Sequence, residues 1–223
     1  MVGLQIETVE RVRAFWRAWE AQSDMPDRVS VVVIGPDRFT CAPEQMRGRI
    51  DTEAPTELSA LIEVLGNDVE HGVGQARLAY TDEATFRAVG TDGVTSVGDD
   101  DARLAALRAT SDRGEWSEAS ADEPCELRYA VVDDDSLLAV ATLQIWNDTL
   151  GHVGVFSAAH ARRHGLASRV GSAVVSYAFT RSLVPQWRSR VGNDASARVG
   201  DRLGFVDLGT QMTVRVKLRN AGN

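Results

Sequence analysis

The chain has 223 residues, 43% of them hydrophobic, which is enough to form one large domain or two small ones around a core. Its two cysteines, Cys41 and Cys125, are far apart and form no CxxC pair, so nothing indicates a disulfide framework or a structural zinc site. The sequence also lacks a signal-peptide pattern and any apolar run long enough to cross a bilayer. We therefore expect a soluble, cytoplasmic protein with no membrane partner.

The charge of the chain is unevenly distributed. A net charge of -8 and a pI of ≈ 5.0 argue against nucleic acid as a partner. Residues 1–150 contain 13 Lys and Arg against 29 Asp and Glu, whereas residues 151–223 contain 11 against 3. An acidic protein with one basic segment suggests a localised anion site, although a cluster of solvated arginines has the same composition.

The first third of the chain alternates patterns typical of helices and strands. Apolar residues at three- and four-residue intervals predict an amphipathic helix from Thr8 to Ala21. A β-branched run predicts a buried strand from Ser30 to Gly35, and helical spacing returns from Glu57 to Leu65. A weaker strand is predicted from Gln75 to Tyr80. No recognisable catalytic group accompanies these elements.

The segment Gly90–Asp101 is rich in Gly, Asp, Thr and Ser, a composition that favours turns over packed structure. The sequence therefore predicts a boundary between a small α/β domain of unknown role at 1–95 and a second domain at 96–223. The elements predicted for the second domain are a helix (Ala102–Ala109), a three-strand antiparallel meander (Leu127–Val132, Leu137–Trp146 and His152–Phe156), a helix (Gly165–Arg181), a strand (Pro185–Val191), a helix (Asn193–Leu203) and a strand (Thr213–Leu218).

The loop between the meander and the long helix is strongly basic. Its cationic side chains at the helix N-terminus are Arg162, Arg163, His164 and Arg169. The helix dipole disfavours each cation at such a position by about 0.3–1 kcal/mol. A bound pyrophosphate would offset this cost, because free backbone N–H groups and the dipole favour anions there. The sequence therefore predicts a pyrophosphate-binding loop.

Two short motifs in this region resemble those of one enzyme superfamily. Arg162, Gly165 and Ala167 match the pattern [RQ]-x-x-G-x-[GA], in which the glycine lets the backbone approach a phosphate closely. The segment Asn193–Phe205 resembles an N-x-x-[AS]…LGF ending. Together with the order of elements over roughly residues 99 to 219, these motifs resemble the GCN5-related N-acetyltransferase superfamily. The segment Pro185-Gln186-Trp187 resembles that of one acetyltransferase branch, whose members carry an additional N-terminal domain.

The resemblance implies an α+β fold, the acyl-CoA N-acyltransferase fold, with a central mixed, mostly antiparallel sheet flanked by helices. It also implies acetyl-CoA as co-substrate, with the pantetheine amides pairing with a strand backbone and the pyrophosphate in the basic loop. The positions implied to contact the cofactor are Val155, Phe156, Ser157, Arg162, Arg163, His164, Gly165, Leu166, Ala167, Ser168, Asn193 and Ser196.

The catalytic acid and base are less well defined. Where many members of the superfamily have a tyrosine that protonates the departing thiolate, this chain has Gly200. Tyr177 is expected to pack in the core instead of replacing it. His152 and Asp148 are the candidate bases, although His152 is equally compatible with an exposed strand start and Asp148 with an Asx turn.

Other chemistries have weaker support. His160 and His164 have the i, i+4 spacing of zinc ligands, but no third ligand is apparent, so no metal is expected. Hydrolase, P-loop and dinucleotide-binding signatures are absent from the sequence. We expect direct acetyl transfer from acetyl-CoA to an amine on a small molecule or peptide. The alternatives are an inactive acyl-CoA-binding sensor or partner module, and an N-terminal unit that only mediates homodimerisation.

Overall fold

The computed structural model describes residues 3–22 and 25–217. Among these residues, no helix is both long and apolar enough to cross a membrane. The chain divides into two compact units, each built from discontiguous segments. Residues 79–95 belong to the same unit as most of the C-terminal half, and residues from 207 onward belong to the other unit. The units therefore do not coincide with the boundary predicted between residues 95 and 96, and the two-domain division remains a prediction.

One unit is formed mainly by residues 10–78 and the C-terminal strand. Its elements are α1 (Ile6–Gln22, which begins in the other unit), β1 (Arg28–Ile34), β2 (Asp37–Cys41), α2 (Glu44–Glu53), α3 (Leu58–Leu65), β3 (Val69–Tyr80) and β9 (Val206–Val216). The strands lie in the order β2-β1-β9-β3, and β1 is antiparallel to both of its neighbours. Apolar side chains of β1, β9, α2 and α3 form one buried cluster, which explains the β-branched composition of β1.

The other unit contains the basic loop and is formed mainly by residues 79–189 and 193–206. Its elements are β4 (Val94–Ser96), α4 (Ala102–Ala109), α5 (Arg113–Glu118), β5 (Leu127–Asp133), β6 (Ser136–Trp146), β7 (Leu150–Ser157), α6 (Leu166–Thr180), β8 (Val184–Arg190) and α7 (Asp194–Arg202). The strands lie in the order β8-β7-β6-β5-β4. Only β7 and β8 are parallel, so the mixed, mostly antiparallel sheet flanked by helices is confirmed.

Helices cover both faces of this second sheet. Alternate residues of β7 point to opposite faces, as the pleat requires. A Cβ added to Gly151 would lie 3.4 Å from Ala178 of α6, whereas one added to Gly154 would lie 2.2 Å from the carbonyl oxygen of Ala119, just after α5. These glycines let both layers approach the sheet closely.

The predicted elements are confirmed, and the structure adds four that were not predicted: β2, α2, β4 and α5. The strand predicted from Gln75 begins earlier, at Val69, and the strand predicted from Thr213 begins at Val206. The predicted end of that last strand, Leu218, lies outside the described residues. Tyr177 packs against the core of its unit, as expected, while its hydroxyl lies 3.4 Å from the carboxylate of Glu126.

Candidate active site

The sheet opens between β7 and β8. The two strands pair only from Leu150 with Val184 to His152 with Gln186. Beyond this point, β7 continues to Ser157 while remaining paired with β6 on its other side. The backbone edge of β7 that faces away from β6 is therefore open to a ligand from Val155 onward. This is the segment that the resemblance assigned to the pantetheine amides.

The N-terminus of α6 lies directly after this open strand. Gly165 precedes the helix with a φ of 77°, a left-handed conformation that suits glycine, and no side chain caps the helix. No atom lies within 4 Å of the position that a Cβ on Gly165 would take. The first-turn N–H groups of Leu166, Ala167 and Ser168 lack partners within an α-helix and point to this open space. These features fit a bound pyrophosphate.

The side chains before α6 are exposed, but one of them is already paired. Arg162 donates two hydrogen bonds to Glu115 of α5, of 3.2 and 2.6 Å, and its Nε donates to the carbonyl oxygen of Ser157. Arg163 has a φ of 66°, and both it and His164 are exposed. An anion at α6 would therefore compete with Glu115 for the Arg162 guanidinium.

The start of α7 carries the remaining two residues predicted to contact the cofactor, Asn193 and Ser196. The Oδ1 atom of Asn193 accepts a hydrogen bond from the Ser196 backbone N–H at 3.0 Å, which caps the helix. The Nδ2 atom of Asn193 donates to Glu118 of α5 at 2.8 Å. The Ser196 hydroxyl accepts a hydrogen bond of 3.1 Å from the indole of Trp187. Both predicted residues thus lie where α5, β8 and α7 meet.

Gly200 is buried in α7 against the indole ring of Trp187. A Cβ at this position would lie 3.1 Å from two ring atoms of Trp187. The ring also packs against Phe205 at a centroid distance of 5.4 Å. The indole therefore fills the space beside the position at which the superfamily resemblance expects a tyrosine.

The structure separates the two candidate bases. Asp148 is exposed at the tip of the hairpin between β6 and β7, where it and Asn147 both have positive φ. His152 is only 5% exposed, and its imidazole stacks on Trp146 at a centroid distance of 4.9 Å. Burial, helped by the positive charge of Arg188, lowers the pKa of His152 to about 3. His152 is thus a neutral group at the opening of the sheet, and the assignment of either residue as base remains a prediction.

Sequence reasoning did not identify the polar residues of β8. Gln186 is fully buried, faces His152 across the strand pair and donates a hydrogen bond of 2.9 Å to the Tyr80 hydroxyl. Arg188 follows two residues later and therefore points to the same face as Gln186. The period-two alternation of β8 indicates that Gln186 and Arg188 share one face of the strand. Only the register with β7 shows that this is the face of His152. Among the described residues, no cluster of three or more metal-ligating side chains occurs.

Comparison with known families agrees with this geometry. Residues 126–210, which contain the elements from β5 to α7, the start of β9 and both motifs, match the family model described as GNAT acetyltransferase. The chain carries a GNAT acetyltransferase domain. The open strand, the glycine-capped α6 and α7 all lie within this GNAT domain. No curated protein sequence matches the chain.

The fold of the whole chain is also shared with solved structures. A GCN5-related N-acetyltransferase from Kribbella flavida matches with a TM-score of 0.55 at 16% identity, covering 96% of each chain. A GNAT-family acetyltransferase from Colwellia psychrerythraea matches with a TM-score of 0.56 at 11% identity, covering 95% of this chain and 98% of that one. At these identities the similarity concerns the fold alone.

Proposed function

We propose that the protein transfers an acetyl group from acetyl-CoA directly to an amine. The observation that carries the proposal is the N-terminus of α6 beside the open edge of β7. Gly165 occupies the N-cap position there, so no side chain caps the helix. The first-turn N–H groups of α6 and the basic side chains of Arg162 and Arg163 supply a site for the pyrophosphate, and the edge of Val155–Ser157 supplies partners for the pantetheine amides. The GNAT domain supports acyl transfer as the chemistry of this site.

In this reaction the amine nitrogen forms a bond to the acyl carbon, the carbon–sulfur bond breaks, and the amine loses a proton as the thiolate gains one. The amine must be neutral when it attacks. With a pKa of about 3, His152 is a weak base, so we expect no inflection from its titration in the pH profile of kcat/KM above pH 5. A His152→Gln variant should leave the shape of that profile unchanged, and a lost inflection would instead identify His152 as the base.

A second candidate function is an acyl-CoA-binding module without catalysis. The packing of Trp187 against Gly200 favours it, because position 200 has no side chain that could act as the acid, and a Cβ there would lie only 3.1 Å from the ring. The missing acid does not by itself abolish transfer, since general acid catalysis contributes roughly 10²–10⁴-fold and a thiol of pKa about 8.5 is a fair leaving group.

Two measurements separate these functions. Calorimetric titration with acetyl-CoA tests the site, and the absence of binding at near-millimolar concentration would contradict both functions. Release of CoA thiol with a broad panel of amines and peptides then tests transfer. Release supports the enzyme, whereas binding without release under all conditions supports the module.

The cytoplasmic location, and homodimerisation through the N-terminal unit, remain proposals. Light scattering on the full chain tests whether the protein forms a homodimer.

A further inference from the structure

Arg188 lies where β8 has separated from β7. It is two residues beyond Gln186, the last residue of β8 that pairs with β7. Gln186 and Arg188 point to one face of the sheet, together with His152, whereas Trp187 points to the other face and packs on Gly200. The Arg188 side chain therefore leaves β8 next to the opening between the strands, on the face covered by α5, and the proposed function places acyl transfer in this opening.

The guanidinium of Arg188 makes no hydrogen bond or ion pair with any described residue. Arg188 is exposed to solvent, although surrounding protein lowers its pKa. Its charge acts on the buried imidazole of His152, and the carboxylate of Glu118 acts on Arg188 in turn. The opening thus presents one cation without a direct partner, one neutral imidazole and one nearby anion.

This arrangement selects against a simple cationic amine. A positive charge repels an ammonium group, and His152 offers no compensating negative charge. A solvent-accessible arginine at the point where β7 and β8 separate instead matches a planar anion, which a guanidinium binds through two parallel hydrogen bonds. The carboxylate of Glu118, which accepts a hydrogen bond from Asn193, places a negative charge near Arg188 that complements the amino group of a ligand carrying both charges.

We propose that the amine acceptor carries a carboxylate that Arg188 binds, so that the acceptor is an amino acid or a related amino carboxylate. This inference rests on the proposed function, in which the acetyl group has no carboxylate of its own. The CoA phosphates are assigned to the α6 loop, so they do not account for a cation on β8. Arg188 is then the residue that determines specificity for the acceptor.

The test compares the standard amino acids with their amides, which retain the amine and lose the carboxylate. With acetyl-CoA as donor, kcat/KM from CoA release should favour the acids by about 10-fold or more, the range of a charge-assisted hydrogen bond. Arg188→Gln should remove this preference by lowering kcat/KM for the acids at least 10-fold more than for the amides. Arg188→Lys should retain part of it, because lysine keeps the charge without the fork geometry. An unchanged acid-to-amide ratio in Arg188→Gln would overturn the inference.

Arg190→Gln is the matched control, since it removes the same charge two residues along β8, where the side chain lies against Gly74. It should leave the acid-to-amide ratio unchanged, and an equal effect there would show that general charge is responsible. A parallel arm uses succinyl-CoA as donor. If Arg188→Gln affects only that donor, the carboxylate belongs to the acyl group and the acceptor assignment is wrong.

Thermal unfolding in the presence of CoA keeps this inference separate from the transfer reaction. Amino acids, but not their amides, should raise the Tm of the wild type, and Arg188→Gln should abolish the increase. If this pattern appears but no substrate releases CoA, the proposed transfer fails and the carboxylate site stands. If neither the acids nor the amides change the Tm and no acid preference is seen in turnover, the carboxylate site is overturned.

Discussion

The N-termini of α6 and α7 contrast sharply, although both helices belong to one unit and contact each other. At α7, Asn193 caps the helix and Asp194 places a negative charge in its first turn. At α6, Gly165 provides no side chain, the first turn has no acidic residue, and arginines precede it. Side chains of the chain itself therefore satisfy the N-terminus of α7, whereas we propose that a bound anion does so at α6. The contrast predicts that changes at α6 alter ligand binding more than stability, and that changes at α7 alter stability more than ligand binding.

The largest expected effect comes from placing a negative charge at the open helix end. Gly165→Glu should weaken CoA binding by about 100-fold, because it puts a carboxylate where the helix N–H groups receive phosphate. Gly165→Gln carries the same left-handed strain and nearly the same volume, so it should lose about 10-fold or less. Calorimetric titration with CoA measures both. Equal losses would attribute the effect to backbone strain and remove the distinction between the two helices.

At α7 we expect an effect on stability. Asn193→Ala removes the cap and should lower the free energy of unfolding by about 1 kcal/mol in urea denaturation. Asn193→Ser retains a capping oxygen and should keep most of that stability. If Asn193→Ala instead weakens CoA binding without a change in stability, the N-terminus of α7 also serves the ligand and the contrast fails.

A smaller effect should follow from releasing Arg162. Glu115→Gln removes the carboxylate that now holds the Arg162 guanidinium, so CoA affinity should rise by about 2- to 5-fold, as expected for an exposed ion pair. Glu83→Gln removes the same charge in the turn after β3 and serves as control. Weaker CoA binding in Glu115→Gln would mean that the ion pair orients Arg162 for the cofactor.

The smallest effect on stability is expected at the N-terminus of α4, where the ionised side chain of Asp101 caps the helix. Side-chain and backbone hydrogen bonds from Arg103 lower the pKa of Asp101 from 3.8 to about 2. Because the folded pKa lies below the unfolded one, the carboxylate stabilises the fold above pH 3.8, and this contribution is lost as the pH falls through about 2. Asp101→Asn should therefore lower the Tm at pH 7, and this difference should shrink as the pH falls below 3.8 and vanish below about 2. Asp100→Asn, next to the cap, should change the Tm little at either pH.

Hydrophobic periodicity and turn residues predicted most elements of the fold. The anion site before α6 was predicted because cationic side chains at a helix N-terminus are unfavourable unless an anion binds there. The helix α5 was missed because six residues with one buried tryptophan, Trp116, have no helical period. Only the spacing of Asp112 and Glu115, typical of a helix start, indicated it. Its glutamates meet Arg162 and Asn193 only after the chain folds back over the sheet.

The sequence alone also could not predict the electrostatics of the opening between β7 and β8. The low pKa of His152 depends on burial and on Arg188, which is 36 positions away along the chain. The face on which Arg188 lies depends on the register of β8 against β7. A strand's alternation fixes which residues share a face, but its neighbours decide which face that is.

The contact between Gly200 and Trp187 also bears on how this site can be changed by mutation. A side chain at position 200 would begin 3.1 Å from two atoms of the indole ring, so a tyrosine there requires a shift of Trp187, whose indole N–H also donates to Ser196. Installing the superfamily's tyrosine in this chain is therefore expected to go better with a smaller residue at position 187 than by itself.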